Sequence, residues 1–155
     1  MRNFLISLIA FCIATAAQAG GLDRNYWGCE LGKATPQFAA DTIKAQFKQQ
    51  FIEPKIDGDD VIVNKIWLKG YQWDVATLHF ADGKLQSITL ENDRFTLTDT
   101  NQMLREMAPI FLGDDYENRS GILRATDAST HIRMAQSEDE NGAAKLQIII
   151  QNLEK

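Results

Sequence analysis

Beyond its first twenty positions the chain carries two histidines, one cysteine and a scatter of acids as its candidate chemistry. His79 and His131 sit in strand-like surroundings, and neither belongs to a Gly-x-Ser-x-Gly or His-Glu-x-x-His pattern. A metal shared by the two would need further ligands at zinc-like spacing, and the sequence supplies none. Cys29, between Gly28 and Glu30, lies in no cysteine-hydrolase signature. An unpaired cysteine behaves as a small hydrophobe, so burial is its expected state.

The acids cluster in loops: Asp57, Asp59 and Asp60; Asp114 and Asp115; Glu138, Asp139 and Glu140. Calcium could use such oxygens, but none of the clusters closes on a Glu at the twelfth position as an EF-hand loop requires. Solvated turns account for them. A glycosidase-type carboxylate pair can be drawn from any two elements, and with 21 acids no pair stands out. The expectation is therefore no catalytic residue, no metal ligand and no cofactor.

Aromatic residues offer a sharper pattern. Trp67, Tyr71 and Trp73 crowd one hairpin, and Tyr26 and Trp27 precede the first helix. Trp67, Trp73 and Val75 stand among Lys65, Lys69, Asp74 and Thr77, and rings interleaved with charges suit an interface. Trp67, Tyr71 and Trp73 are the candidate binding residues, against the plainer reading that they complete the packing of a sheet.

The elements that must position these residues are legible from periodicity. Thr35 is a fitting N-cap with Pro36 at the first helical position. Ala39, Ala40, Ile43, Phe47 and Phe51 then form one apolar stripe, and Pro54 predicts a helix end near Glu53. Asp57-Gly58-Asp59-Asp60 is a turn. Strands are predicted over 61–69, 72–80 and 84–91, the last two joined by Ala81-Asp82-Gly83, a strong hairpin signal. A second helix opens near Asp99, with Gln102 completing a capping box. Its stripe is Met103, Leu104, Met107, Ile110 and Phe111; Pro109 should kink or shorten it, and Gly113 suits its C-cap. Strands recur over 121–126, 130–137 and 144–152.

The order helix and three strands thus occurs twice, in halves 27–92 and 97–153. Lys84-Leu85-Gln86 with Ile88 matches Lys145-Leu146-Gln147 with Ile149 at an offset of 61 residues, whereas aligning the apolar faces needs an offset of 60. A bulge or a chance match would each explain the difference.

Composition sets the class. The chain has 155 residues, 45% hydrophobic, with 16 Lys and Arg against 21 Asp and Glu. This is a single-domain length with ordinary aromatic content, not a collagen-like, coiled-coil or disordered composition. A net charge of −5 without a basic run argues against nucleic acid as a partner. Residues 1–19 have a secretory layout: Arg2, an apolar run over 4–17, and Ala17-Gln18-Ala19 before Gly20-Gly21. Cleavage after Ala19 would leave 20–155 as one domain, 136 residues with net charge −6 and Cys29 as the only cysteine, with no membrane span. A periplasmic or secreted location follows as the expectation.

From Trp27-Gly28 through Leu31-Gly32-Lys33-Ala34-Thr35 into a helix and then antiparallel strands, the chain resembles two groups of small secreted bacterial domains. These are the outer-membrane assembly lipoproteins of the SmpA/OmlA type and the tandem helix-plus-sheet β-lactamase inhibitor proteins. The chain lacks a lipobox for the first group and the paired cysteines of the second. What the resemblance implies is a non-catalytic binding domain. The expected fold is α+β, an antiparallel sheet of five or six strands with two amphipathic helices on one face, built as a tandem α-β-β-β repeat. The expected function is an exported binding module that recognises a protein or envelope component through the exposed sheet face, with oligomeric state open. The alternatives are a secreted hydrolase using paired carboxylates on glycan or peptide, and a calcium-stabilised structural protein.

Overall fold

The computed structural model describes residues 21–95, 97–138 and 143–155. The signal-like segment 1–19, Asp139, Glu140 and the side chain of Asp99 lie outside the described residues. A short hairpin, β1 (Asn25–Tyr26) and β2 (Cys29–Glu30), leads into α1 (Pro36–Gln46). Four strands follow: β3 (Lys55–Asp57), β4 (Asp60–Leu68), β5 (Tyr71–Ala81) and β6 (Lys84–Phe95). The second half repeats the order with α2 (Leu97–Leu112), β7 (Glu117–Arg119), β8 (Ile122–Thr126), β9 (Thr130–Glu138) and β10 (Ala144–Asn152).

These strands make one antiparallel sheet of eight, in the order β3-β4-β5-β6-β10-β9-β8-β7, beside the two-stranded β1-β2 sheet. The expected α+β fold with five or six strands and two helices on one face is overturned. The described residues are 51% strand and 21% helix, and each half contributes four strands to the sheet rather than three. The missed strands, β3 and β7, have three exposed residues each and so carry no apolar alternation to read. The helices do not lie as a pair over a narrow sheet: α1 packs against β2, β3 and β4, and α2 against β6, β8, β9 and β10.

Turn chemistry sets the meander. The loops Trp27-Gly28, Lys69-Gly70, Asp82-Gly83 and Ser120-Gly121 each put two successive residues at positive φ, the twist that two-residue hairpins require. Thr35 caps α1 by accepting a hydrogen bond from Phe38 N at 3.3 Å. The helix stops at Gln46, earlier than Glu53, because Phe47 is the last residue its buried stripe needs and the polar Lys48–Gln50 tightens into a 3₁₀ turn. Phe51, expected on the stripe, is instead 89% exposed with φ 56°. In α2 the buried stripe is Leu104, Met107, Ala108, Phe111 and Leu112, leaving Ile110 outside, and Gly113 N closes the helix onto Pro109 O at 3.2 Å.

The halves meet at β6 and β10. Ile88 lies opposite Ile150, Thr89 opposite Ile149 and Leu90 opposite Ile148. A local twofold through the Thr89–Ile149 pair therefore carries Ile88 onto Ile148 and Leu90 onto Ile150. That is the offset of 60 demanded by the apolar faces, and it places the 61-residue match between Ile88 and Ile149 out of phase.

The N-terminal segment is fastened across the second half. Arg24 donates to Ser129 O at 2.6 Å, Thr130 Oγ1 at 3.1 Å, Leu31 O at 3.1 Å and Asn152 Oδ1 at 2.9 Å, and pairs with Glu154 at 2.9 Å. Asp127 accepts from the backbone N–H of Leu22, Ser129 and Thr130 at 2.6, 2.8 and 2.7 Å. Burial alone would raise the Asp127 carboxyl, but these N–H donors and the Ser129 hydroxyl outweigh it and hold the group below its ordinary value. Leu85 exchanges backbone bonds with Gly32 and Ala34 at 2.7 and 2.9 Å, with Gly32 at φ 78°.

A Cβ on Gly32 would stand 3.3 Å from Asn152 Nδ2, an amide already held by Arg24, Gln86 and Glu154. Gly32→Ala should therefore lower stability by about 1–3 kcal/mol in urea denaturation; an unchanged midpoint would show that this junction yields freely. The depressed Asp127 carboxyl adds stability above the unfolded value near ~4 and loses it as pH falls through the lower folded value. Asp127→Asn should cost about 1–3 kcal/mol at pH 7 and flatten the acid limb of a stability–pH curve.

Candidate binding face

Along the central strands alternate residues point into one core: Val61, Val63 and Ile66 on β4, Trp73, Ala76 and Leu78 on β5, Leu85, Ile88 and Leu90 on β6, and Leu146, Ile148 and Ile150 on β10. Their neighbours form the outward face, and strand register lines them up as ladders. The central ladder crosses the whole sheet: Lys55, Ile62, Thr77, Thr89, Ile149, Arg133, Arg124 and Glu117. From Ile62 to Arg124 these side chains are half-buried, so each shields its neighbour while still meeting solvent. A parallel ladder runs Asn64, Val75, Glu91, Gln147 and Ala135.

The three aromatic candidates do not form one surface. Trp73 is fully buried, its ring edge-on to Phe111 with centroids 6.1 Å apart, and Tyr71 packs against the core. Only Trp67 is at the surface, 48% exposed, with its carbonyl accepting from Trp27 Nε1 at 2.8 Å. The cause lies at Lys65, whose φ of 55° turns the backbone left-handed. The β4–β5 register continues from Asp60–His79 to Leu68–Tyr71, yet the inward set shifts from Val63 and Ala76 to Ile66 and Trp73. A reading by strict alternation cannot see such a kink. Trp73 as a binding residue is corrected to a core residue.

His79 and His131 both lie on the outward face, on a ladder where Ser87 and Gln151 separate them. Three strand spacings, about 14 Å, keep them from sharing an ion. His79 Nδ1 is 2.7 Å from Asp60 Oδ1, and His131 Nδ1 is 2.7 Å from Thr126 Oγ1. Among the described residues, no three His, Cys, Asp or Glu side chains gather as metal ligands. Cys29 is fully buried, and desolvation pushes its thiol up to about 11. A thiol so raised is a poor nucleophile at neutral pH.

A cleft of about 480 Å³ opens where the end of α2 meets Leu22, Asp23 and the β8–β9 turn. Asp114, Asp115 and the carbonyl end of α2 make it acidic, and Lys69 occupies it, 3.1 Å from Asp23 and 5.6 Å from the Phe111 ring centroid. Asp127, on its wall, is committed to the backbone bonds described above.

The sequence reading passed over Arg124 and Arg133, which register places directly opposite each other on the outward face. The signal was present: pairing the strands on either side of the 127–129 turn puts these positions together. Comparison with protein-family models, with curated proteins and with solved structures finds no match. No described helix is long and apolar enough to cross a membrane.

Removing Trp73 empties a core site, so Trp73→Ala should lower unfolding free energy by about 3–5 kcal/mol. Trp73→Phe should cost far less, because the Trp73 Nε1 donor is buried without a partner and its removal leaves nothing unpaired. Trp67→Ala should stay within about 1 kcal/mol. Equal losses at positions 67 and 73 in urea titrations would contradict this division.

Proposed function

We propose that the protein is an exported, non-enzymatic binding module that recognises a protein or envelope component through the outward face of its sheet. The observation that carries this reading is the central ladder, in which Ile62, Thr77, Thr89 and Ile149 present a half-buried apolar and β-branched strip. β-branched and aliphatic side chains on a regular sheet lose little side-chain entropy when a partner covers them. Trp67 adds an exposed aromatic on β4. Export rests on the three-part layout of residues 1–19. The histidines are each hydrogen-bonded to a neighbour, Cys29 is buried, and of the acids in the cleft Asp23 pairs with Lys69 and Asp127 is engaged by backbone N–H groups.

The test is capture of a partner from an envelope extract by the full chain, comparing face variants with a control. Thr77→Arg combined with Thr89→Glu, an opposite-charge pair across β5 and β6, should abolish capture while leaving the melting temperature within a few degrees, and Gln37→Arg on the exposed side of α1 should leave capture intact. Capture that survives the double change would remove the outward face as the binding site.

A further inference from the structure

Arg124 and Arg133 leave the outward face as a directly opposed pair on β8 and β9. Like charges at opposed positions of an antiparallel pair are destabilising, and acidic neighbours would ordinarily relieve them. Here the nearby acids are already engaged. Glu117, opposite Arg124 on its other side, holds Arg119 at 3.2 Å. Glu91, on the adjoining ladder, holds Lys145 at 2.8 Å and accepts from Gln147 at 2.9 Å. Among the described residues neither Arg124 nor Arg133 has an ion pair, and Arg124 Nε is buried with no hydrogen-bond partner. This concentration of positive charge stands in a chain whose net charge is −5.

We propose that the Arg124–Arg133 pair anchors a carboxylate presented by a protein partner, an Asp or Glu side chain on a segment lying along the central ladder. The inference rests on the binding reading above and names the chemistry of the partner. One carboxylate can accept from N–H groups of both guanidinium groups, cancelling the repulsion in a single contact. The strip beside the pair argues for a macromolecule over a free anion. Ile149, Thr89, Thr77 and Ile62 continue the ladder from Arg133 for about 19 Å, four strand spacings. A small anion would use none of it, whereas a partner chain would cover it, with arginines as the desolvated anchors.

The probe is the acetylated, amidated pentapeptide Thr-Val-Glu-Val-Thr, with Thr-Val-Gln-Val-Thr as its neutral counterpart, titrated into full-length protein. Arginine Nε–H and backbone amide NMR signals are the readout. The Glu peptide should give saturable shifts at Arg124 and Arg133 and along Thr89 and Ile149, weakening as salt rises. The Gln peptide and the Arg124→Gln, Arg133→Gln double variant should each bind at least about tenfold more weakly. The double variant should also melt no lower than the parent, since it removes repulsion and no internal partner; a clear loss of stability would make the pair structural and overturn the assignment. Equal binding by the double variant would overturn the anchor while leaving the outward face standing as the site. Inorganic phosphate shifting the arginine signals as tightly as the Glu peptide would overturn the choice of a protein carboxylate. No saturable shift at all would remove the anchor, and the capture experiment would still decide the face independently.

Discussion

The pairing of β6 with β10 is the constraint on which the molecule depends. Each half alone would be a helix over a four-stranded meander, ending in a long apolar strand with an open side. Leu85, Ile88 and Leu90 from one half and Leu146, Ile148 and Ile150 from the other bury together only when those open sides join. Joining them antiparallel about Thr89 and Ile149 makes one core under eight strands, and it gives both halves a shared outward surface. The ladder from Ile62 to Arg124 exists only because this junction is in register.

The N-terminal hairpin makes that junction harder to open. Arg24 and Asp127 bind it to the β8–β9 turn and to the end of β10, while Gly32 and Ala34 bind it to β6. Trp27 also ties it to β4 through the carbonyl of Trp67. Segments distant in sequence are thus fixed on both sides of the seam, and the seam's rigidity is passed to the face it carries. Such closure depends on groups that are mostly backbone carbonyls and N–H donors, which leave no compositional trace.

Much of the fold was legible in the sequence where a pattern is long. The six longer strands appear in the periodicity to within a few residues, as do the caps at Thr35 and Gly113, because burial of one face imposes alternation and caps impose residue type. β3 and β7 were not legible, since three exposed residues bear no pattern, and neither was the pairing of β6 with β10 that joins the two halves within the sheet. Trp73 was misplaced because the left-handed Lys65 changes which residues face inward without changing register. The Arg124–Arg133 pair could have been found by folding the hairpin on paper, and was missed because neither residue belongs to a recognised motif.

β3 and β7 have a consequence for the molecule's colloidal behaviour. They form the two outer borders of the sheet, where unpaired backbone donors and acceptors would otherwise recruit further strands. Both are three residues long and bear charge, Lys55 and Asp57 on one and Glu117 and Arg119 on the other. The stretch of β4 beyond β3 is interrupted by the left-handed Lys65. Lateral growth into fibres or swapped dimers is therefore disfavoured at both borders of this broad, partly apolar sheet.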